Sequence, residues 1–76
     1  MNKFKQFVDC LLESKHRMIY YDIETESVLM EGTEQSVLDI IDLKREHLEN
    51  GFAFLIKPVL NDWYTIMIYN RLLNEI

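Results

Sequence analysis

The amino-acid sequence predicts a single compact α+β domain, residues 1–76, with the element order αββαββ. Two segments place apolar residues at the spacing of an amphipathic helix, and each is followed by two segments with the alternation or residue types of β-strands. Hydrophobic residues make up 49% of the chain, with two glycines and one proline, which is typical of a folded domain. The simplest packing for this order is two helices on one face of a four-stranded antiparallel sheet.

The first helix is predicted from an apolar stripe near the N-terminus. Its members recur at i, i+3, i+4, i+7 and i+8: Phe4, Phe7, Val8, Leu11 and Leu12. Asn2 can cap the first turn, and Lys15, His16 and Arg17 lie where positive charge favours the end of a helix. The pattern therefore predicts an amphipathic helix.

A hairpin is predicted over residues 18–32, where apolar and polar residues alternate at period two. A turn centred on Thr25 and Glu26 gives four cross-strand pairs: Ile23 with Val28, Tyr21 with Met30, Asp22 with Leu29 and Tyr20 with Glu31. In this register Ile19, Tyr21 and Ile23 share an apolar face. The opposite face is acidic, with a tyrosine and a leucine among the charges.

The second helix follows this hairpin. We expect Gly32 to end the strand, Thr33 to cap the helix, and Glu34 to lie in the first turn, where the helix dipole favours an acid. The inner stripe is apolar: Val37, Ile40, Ile41 and Leu48. Asn50 and Gly51 end the helix, because glycine readily adopts the left-handed conformation.

A second hairpin is predicted over residues 52–69, which are rich in β-branched and aromatic residues. A two-residue loop at Asn61 and Asp62 gives three pairs: Phe54 with Tyr69, Ile56 with Met67 and Leu55 with Ile68. Pro58 cannot donate a ladder hydrogen bond, so its strand is expected to be an edge strand or to carry a bulge. Both faces of this hairpin are largely apolar, so one of them should meet the chain tail, a second subunit or another protein.

The last residues have two interpretations. Residues 62–76 fit a helical period through Ile66, Tyr69, Leu73 and Ile76. Residues 62–69 also fit a strand, and we favour the strand, followed by a short C-terminal helical turn.

Composition argues against several classes of protein. No apolar run approaches the ~20 residues needed to span a bilayer, and the amphipathic N-terminal segment lacks the apolar core of a signal peptide. The single cysteine, Cys10, cannot form an intrachain disulfide. We therefore expect a cytoplasmic protein that binds no membrane, in the host cytoplasm if the chain is phage-encoded.

Metal, cofactor and catalytic signatures are absent from the sequence. Cys10, His16 and His47 lack the short paired spacing of zinc ligands, and two glycines are too few for the phosphate-binding loops. A Cys10–histidine nucleophile pair would need both side chains at one cleft. We therefore expect no metal site, no cofactor and no enzymatic activity.

Carboxylate pairs are the remaining catalytic candidates. Asp22 with Glu24, or Asp39 with Asp42, could bind magnesium or perform acid–base work, which requires a pocket that separates their pKa values. The spacing at residues 22–26 lacks the glycine and the distal glutamate of a calcium loop. A solvated face is the simpler interpretation.

Direct nucleic-acid binding is not expected either. Five aromatic residues could form a base-stacking platform: Phe52, Phe54, Trp63, Tyr64 and Tyr69. Without a basic groove, and with a formal net charge of −5, a hydrophobic core explains them better.

The charge distribution is the most informative feature. Residues 18–42 contain seven acidic residues and no Lys or Arg. We expect carboxylates from the outer hairpin face and the outer side of the second helix to form one negative surface, with Tyr20 and Leu29 as anchors. The predicted partner-binding residues are Tyr20, Asp22, Glu24, Glu26, Leu29, Glu31, Glu34, Asp39 and Asp42. A solvated face that only keeps the protein soluble is the alternative.

Such a surface suits a basic partner, most naturally a protein that handles nucleic acid. Small acidic inhibitors encoded by bacteriophages, including anti-CRISPR and anti-restriction proteins, are similar in general profile, although no motif ties the chain to one of those families. The leading hypothesis is a non-enzymatic inhibitor that mimics nucleic acid with its carboxylates. The alternative is a homodimeric structural or regulatory protein, joined through the 52–69 hairpin, whose acidity serves only solubility.

Overall fold

The computed structural model describes residues 2–14, 16–48 and 50–74, and it confirms the predicted α+β fold. The elements are α1 (Lys3–Glu13), β1 (Arg17–Asp22), β2 (Ser27–Thr33), α2 (Glu34–His47), β3 (Phe52–Leu60) and β4 (Trp63–Asn70). The strands form one antiparallel sheet in the order β1-β2-β4-β3. β2 and β4 are therefore central, β1 and β3 are edges, and residues 63–70 form a strand rather than a helix.

Both helices begin at their predicted N-cap residues, Asn2 and Thr33. The Asn2 side chain accepts a hydrogen bond from the backbone N–H of Lys5 at 3.1 Å, and the Thr33 side chain accepts one from Ser36 at 3.4 Å. The prediction that His16 and Arg17 lie at the end of α1 is wrong. The helix ends at Glu13, and Arg17 is the first residue of β1. Lys15 lies outside the described residues.

The hydrophobic core lies between the two helices and one face of the sheet. Its buried apolar members come from both helices and both central strands: Phe4, Phe7, Val8, Leu11, Val28, Met30, Val37, Ile40, Ile66 and Ile68. Leu12, which was predicted to belong to the stripe, is 50% exposed. Ile41 and Leu48 of the predicted inner stripe of α2 are only partly buried against the core.

The first hairpin has a longer turn and a different register from those predicted. Residues 23–26 form the turn, and the strand pairs are Asp22 with Ser27, Tyr21 with Val28 and Tyr20 with Leu29. The Asp22 carboxylate stabilises this turn by accepting the backbone N–H groups of Glu24, at 2.9 Å, and Thr25, at 3.3 Å. A displacement of two residues leaves the side chains of β2, and those of β1 from Tyr20 to Asp22, on their predicted faces.

A β-bulge corrects the predicted placement of Ile19. The β1–β2 register shifts between Met18 and Tyr20, so the side chains before the bulge exchange faces. Ile19 is 49% exposed, and Met18 packs against the core in its place.

Gly32 does not end the strand, contrary to the prediction. It is a buried residue within β2, and a Cβ atom at this position would lie 2.6 Å from Cβ of Ser36. Glycine therefore serves here to let β2 approach the first turn of α2. Gly51 has a φ of 110°, but it lies in the loop and does not end the helix as predicted, because α2 ends at His47 with Leu48 as its extended C-cap.

The second hairpin confirms both predictions for Pro58. β3 is an edge strand, and its register shifts between Pro58 and Leu60. The bulge displaces the pairing by one residue from the prediction, giving three pairs: Phe54 with Ile68, Leu55 with Met67 and Ile56 with Ile66. Because a one-residue displacement exchanges the faces of a strand, Phe54 lies on the helix-covered side and Leu55 on the other.

The C-terminal segment forms a turn after β4. The backbone N–H of Asn74 donates to the carbonyl of Asn70 at 3.2 Å, and its side chain donates to the carbonyl of Thr25 at 2.8 Å. The side-chain bond joins the tail to the turn of the first hairpin. The last two residues of the predicted terminal helical turn, 75 and 76, lie outside the described residues.

Candidate functional site

The structure divides the predicted partner-binding residues between two layers. Tyr20, Asp22, Leu29 and Glu31 share the sheet face opposite the core. Asp39 and Asp42 lie on the side of α2 that points away from the sheet, because Val37 and Ile40 are buried beneath that helix. The two groups therefore look in opposite directions, and the single acidic surface expected from the sequence is not formed.

We call the sheet face opposite the helices the open face. Its central row crosses all four strands through cross-strand pairing and is apolar: Tyr20, Leu29, Met67 and Leu55. Tyr20 is 49% exposed and Leu55 is 53% exposed. A shallow groove of about 420 Å³ runs beside Leu29, Leu55 and Met67. The open face thus presents apolar side chains to solvent.

The two rows that flank the central row carry the charges of the open face. One row contains Arg17, Glu31, Thr65 and Lys57, and the other contains Asp22, Ser27, Tyr69 and Ala53. Arg17 Nε lies 3.1 Å from Glu31 Oε1. Together the two rows contain two cations and two carboxylates, of which only Arg17 and Glu31 pair directly, so the open face is close to electrically balanced.

The turn of the first hairpin holds the other two predicted acids of this segment. Glu24 is exposed. Glu26 has a φ of 51°, and its carboxylate accepts a hydrogen bond from the Asn70 side-chain amide at 2.9 Å. Glu26 therefore has a structural role in joining the turn to the end of β4.

We call the outward side of α2, comprising Leu38, Asp39, Asp42 and Glu46, the helix surface. Asp39 accepts a hydrogen bond from the Gln35 side chain at 2.9 Å, and Asp42 lies 3.6 Å from Arg45, with both side chains largely exposed. Leu38 is 50% exposed beside these carboxylates. The Asp42–Arg45 pair is exposed and therefore weak. Because it has three carboxylates against this one arginine, the helix surface remains negative.

Sequence reasoning did not include Leu38 and Glu46 among the partner-binding residues. Their helical spacing from Asp42, four residues on either side, was the signal that places them on one face. Glu34, which was included, lies in the first turn of α2. Its charge there is favourable to the helix dipole whether or not it contacts a partner.

Cys10 and His47 are 37 residues apart in the sequence but contact each other in the structure. Cys10 Sγ lies 3.6 Å from His47 Nε2, in a half-buried position between α1 and α2. This hydrogen bond gives both polar groups a partner where the helices pack. Across residues 2–14, 16–48 and 50–74, no group of three or more His, Cys, Asp or Glu side chains is arranged to hold a metal ion.

No helix within the described parts of the chain combines the length and the apolar character needed to cross a membrane. Comparison of the chain with protein-family models, curated proteins and solved structures found no significant match.

Proposed function

We propose that the protein is a non-enzymatic binding module that inhibits a basic, nucleic-acid-handling protein by occupying its cationic site. The observation that carries this proposal is the helix surface, where Asp39, Asp42 and Glu46 share the outward side of α2 with the half-exposed Leu38. The three carboxylates supply charge, and the leucine supplies an apolar contact.

Charge balance favours the helix surface over the open face as the contact. On the open face, Arg17 and Lys57 offset Asp22 and Glu31. On the helix surface, Arg45 offsets only one of three carboxylates. A basic partner is attracted by the uncompensated field, which raises the rate of association.

The geometry of α2 also suits a site that normally binds phosphates. With a rise of about 1.5 Å per residue, Asp39, Asp42 and Glu46 are spaced by roughly 4.5 and 6 Å along the helix axis, a regular series of carboxylates that several cationic side chains of such a site can contact together. A helix holds this spacing rigidly, so little entropy is lost when the carboxylates meet Lys and Arg side chains.

The test uses immobilised protein to capture its partner from a host lysate at low salt, followed by measurement of the partner's nucleic-acid binding. We expect the captured protein to bind nucleic acid, and added wild-type protein to block that binding. The double variant Asp39→Lys/Asp42→Lys should associate more slowly and block poorly. Leu38→Ala should dissociate faster at an unchanged charge.

A matched control makes the same change in net charge elsewhere. Glu13→Lys/Asp62→Lys alters two exposed residues that lie outside both the helix surface and the predicted partner-binding residues, and it should block as well as the wild type. The proposal fails if the helix variant also blocks as well as the wild type, or if the captured protein has no affinity for nucleic acid.

A second candidate function is a homodimeric structural or regulatory protein whose acidity serves only solubility. The apolar central row of the open face favours it, because exposed apolar patches mark interaction sites. In this case the Asp39→Lys/Asp42→Lys variant would keep its full function.

A further inference from the structure

We propose that two copies of the chain pack open face against open face, related by a twofold axis that runs along the central row. This inference rests on the second candidate function and is independent of the first, because the helix surface lies on the opposite layer. The central row Tyr20, Leu29, Met67 and Leu55 supplies the contact, and the flanking rows supply its orientation.

The face of the sheet is better suited to self-association than its edges. On β3, Pro58 lacks a backbone donor, Lys57 adds a charge, and the bulge beside Pro58 distorts the ladder. β1 also carries a bulge, between Met18 and Tyr20. Features of this kind prevent the edge of one sheet from pairing with another. A partner that covers the apolar groups of the open face must therefore pack against the face of the sheet.

The dimensions of the molecule fit a second copy. Its principal extents are 36 × 29 × 19 Å, so the broad side of the molecule is of the same order as the ~800 Å² that each partner buries in a standard protein interface. The apolar contact is concentrated in one row, so we expect association in the micromolar range or weaker.

Charge complementarity selects the orientation. A twofold axis along the central row places each strand against the same strand of the second copy and reverses its direction. Arg17 then faces Asp22 of the second copy, Lys57 faces Ala53, and symmetry repeats each contact. An axis parallel to the strands would instead place Arg17 against Lys57, which repel each other. The first arrangement forms two Arg–Asp pairs, at the usual offset of about 30° between aligned sheets.

This arrangement makes Leu55 face Leu55 of the second copy, and Tyr20 face its own counterpart. The two helix surfaces then point outwards on opposite sides of the dimer. Self-association and binding through the helix surface are therefore compatible, and each can be abolished separately.

The first test measures the molecular mass by sedimentation equilibrium from micromolar to millimolar protein. We expect a monomer–dimer equilibrium, and a dissociation constant raised about tenfold or more by Leu55→Glu, which places a charge in the apolar contact. Leu38→Glu is the matched control, because Leu38 is equally exposed but lies on α2. A monomer at every concentration, or equal weakening by both variants, overturns the proposal.

The second test examines the orientation by cross-linking in a Cys10→Ser background with a short bis-maleimide reagent. We expect Leu55→Cys alone to form a cross-linked dimer, because the two copies of this residue face each other. If a product forms only in a mixture of Leu55→Cys and Tyr20→Cys proteins, the axis runs parallel to the strands and the proposed orientation is wrong. Asp39→Lys/Asp42→Lys should leave the dissociation constant unchanged, which separates this proposal from the inhibitor proposal.

Discussion

The two faces of the sheet differ in composition and in cover, because the covered face is apolar at its centre and the open face is apolar only in its central row. On the helix-covered face, the side chains of Val28, Met30, Ile66 and Ile68 are fully buried. On the open face, the central row from Tyr20 to Leu55 remains partly exposed. In β4 both faces are apolar, so the residue types of the strand alone do not tell which face forms the core. The alternation in β2, which puts Val28 and Met30 on one face and Glu31 on the other, indicates the core face.

The two faces should differ most in how much free energy of unfolding is lost when an apolar side chain is shortened to alanine. Ile68→Ala should lower the free energy of unfolding by about 3 kcal/mol, because it leaves a cavity beneath the helices. Leu55→Ala on the open face should cost only about 0.5 kcal/mol. Urea denaturation of dilute protein measures both values without a contribution from self-association.

Equal costs for these two variants would contradict the distinction between the faces. They would mean that the open face is covered in the folded monomer. A large cost for Leu55→Ala that appears only in concentrated protein would instead support the dimer, since ligand-like binding of a second copy stabilises the folded state.

The next prediction concerns the close approach between β2 and α2 on the covered face. Gly32→Ala should cost about 2 kcal/mol, because its Cβ would lie 2.6 Å from Cβ of Ser36 and the helix would have to move. Adding Ser36→Gly should recover part of that loss despite its lower helix propensity. A Gly32→Ala protein as stable as the wild type would show that α2 is not held closely against the sheet.

The order and type of the elements could be predicted from the sequence because they depend on local patterns. The periods of the stripes, the Asn2 and Thr33 caps and the constraint on Pro58 are each visible within a few residues. The same holds for the assignment of Tyr20, Asp22, Leu29 and Glu31 to one face.

The strand registers could not be predicted in the same way. In the first hairpin, the Asp22 side chain stabilises a four-residue turn, and the error was two residues, which preserved the faces. In the second, the bulge after Pro58 caused an error of one residue, which exchanged them. The prediction of a single acidic surface failed because it also depended on how the helix layer stacks on the sheet. The alternation of the first hairpin already indicated the outcome: helices packed on its apolar face, over Val28 and Met30, leave Asp39 and Asp42 on the layer opposite Asp22 and Glu31.

A smaller loss of stability than that of Gly32→Ala is expected at the junction between the two layers. Thr33 is the last residue of β2 and the N-cap of α2, where its hydroxyl accepts the Ser36 backbone N–H. Thr33→Ala should therefore cost about 1 kcal/mol by leaving a donor of the first helical turn without its cap. Thr33→Ser retains the hydroxyl and should cost much less, which thermal unfolding can resolve. If serine and alanine were equally destabilising, the β-branched side chain in the strand, and not the cap, would be what stabilises this junction, and the covering of the inner face would depend on the sheet more than on α2.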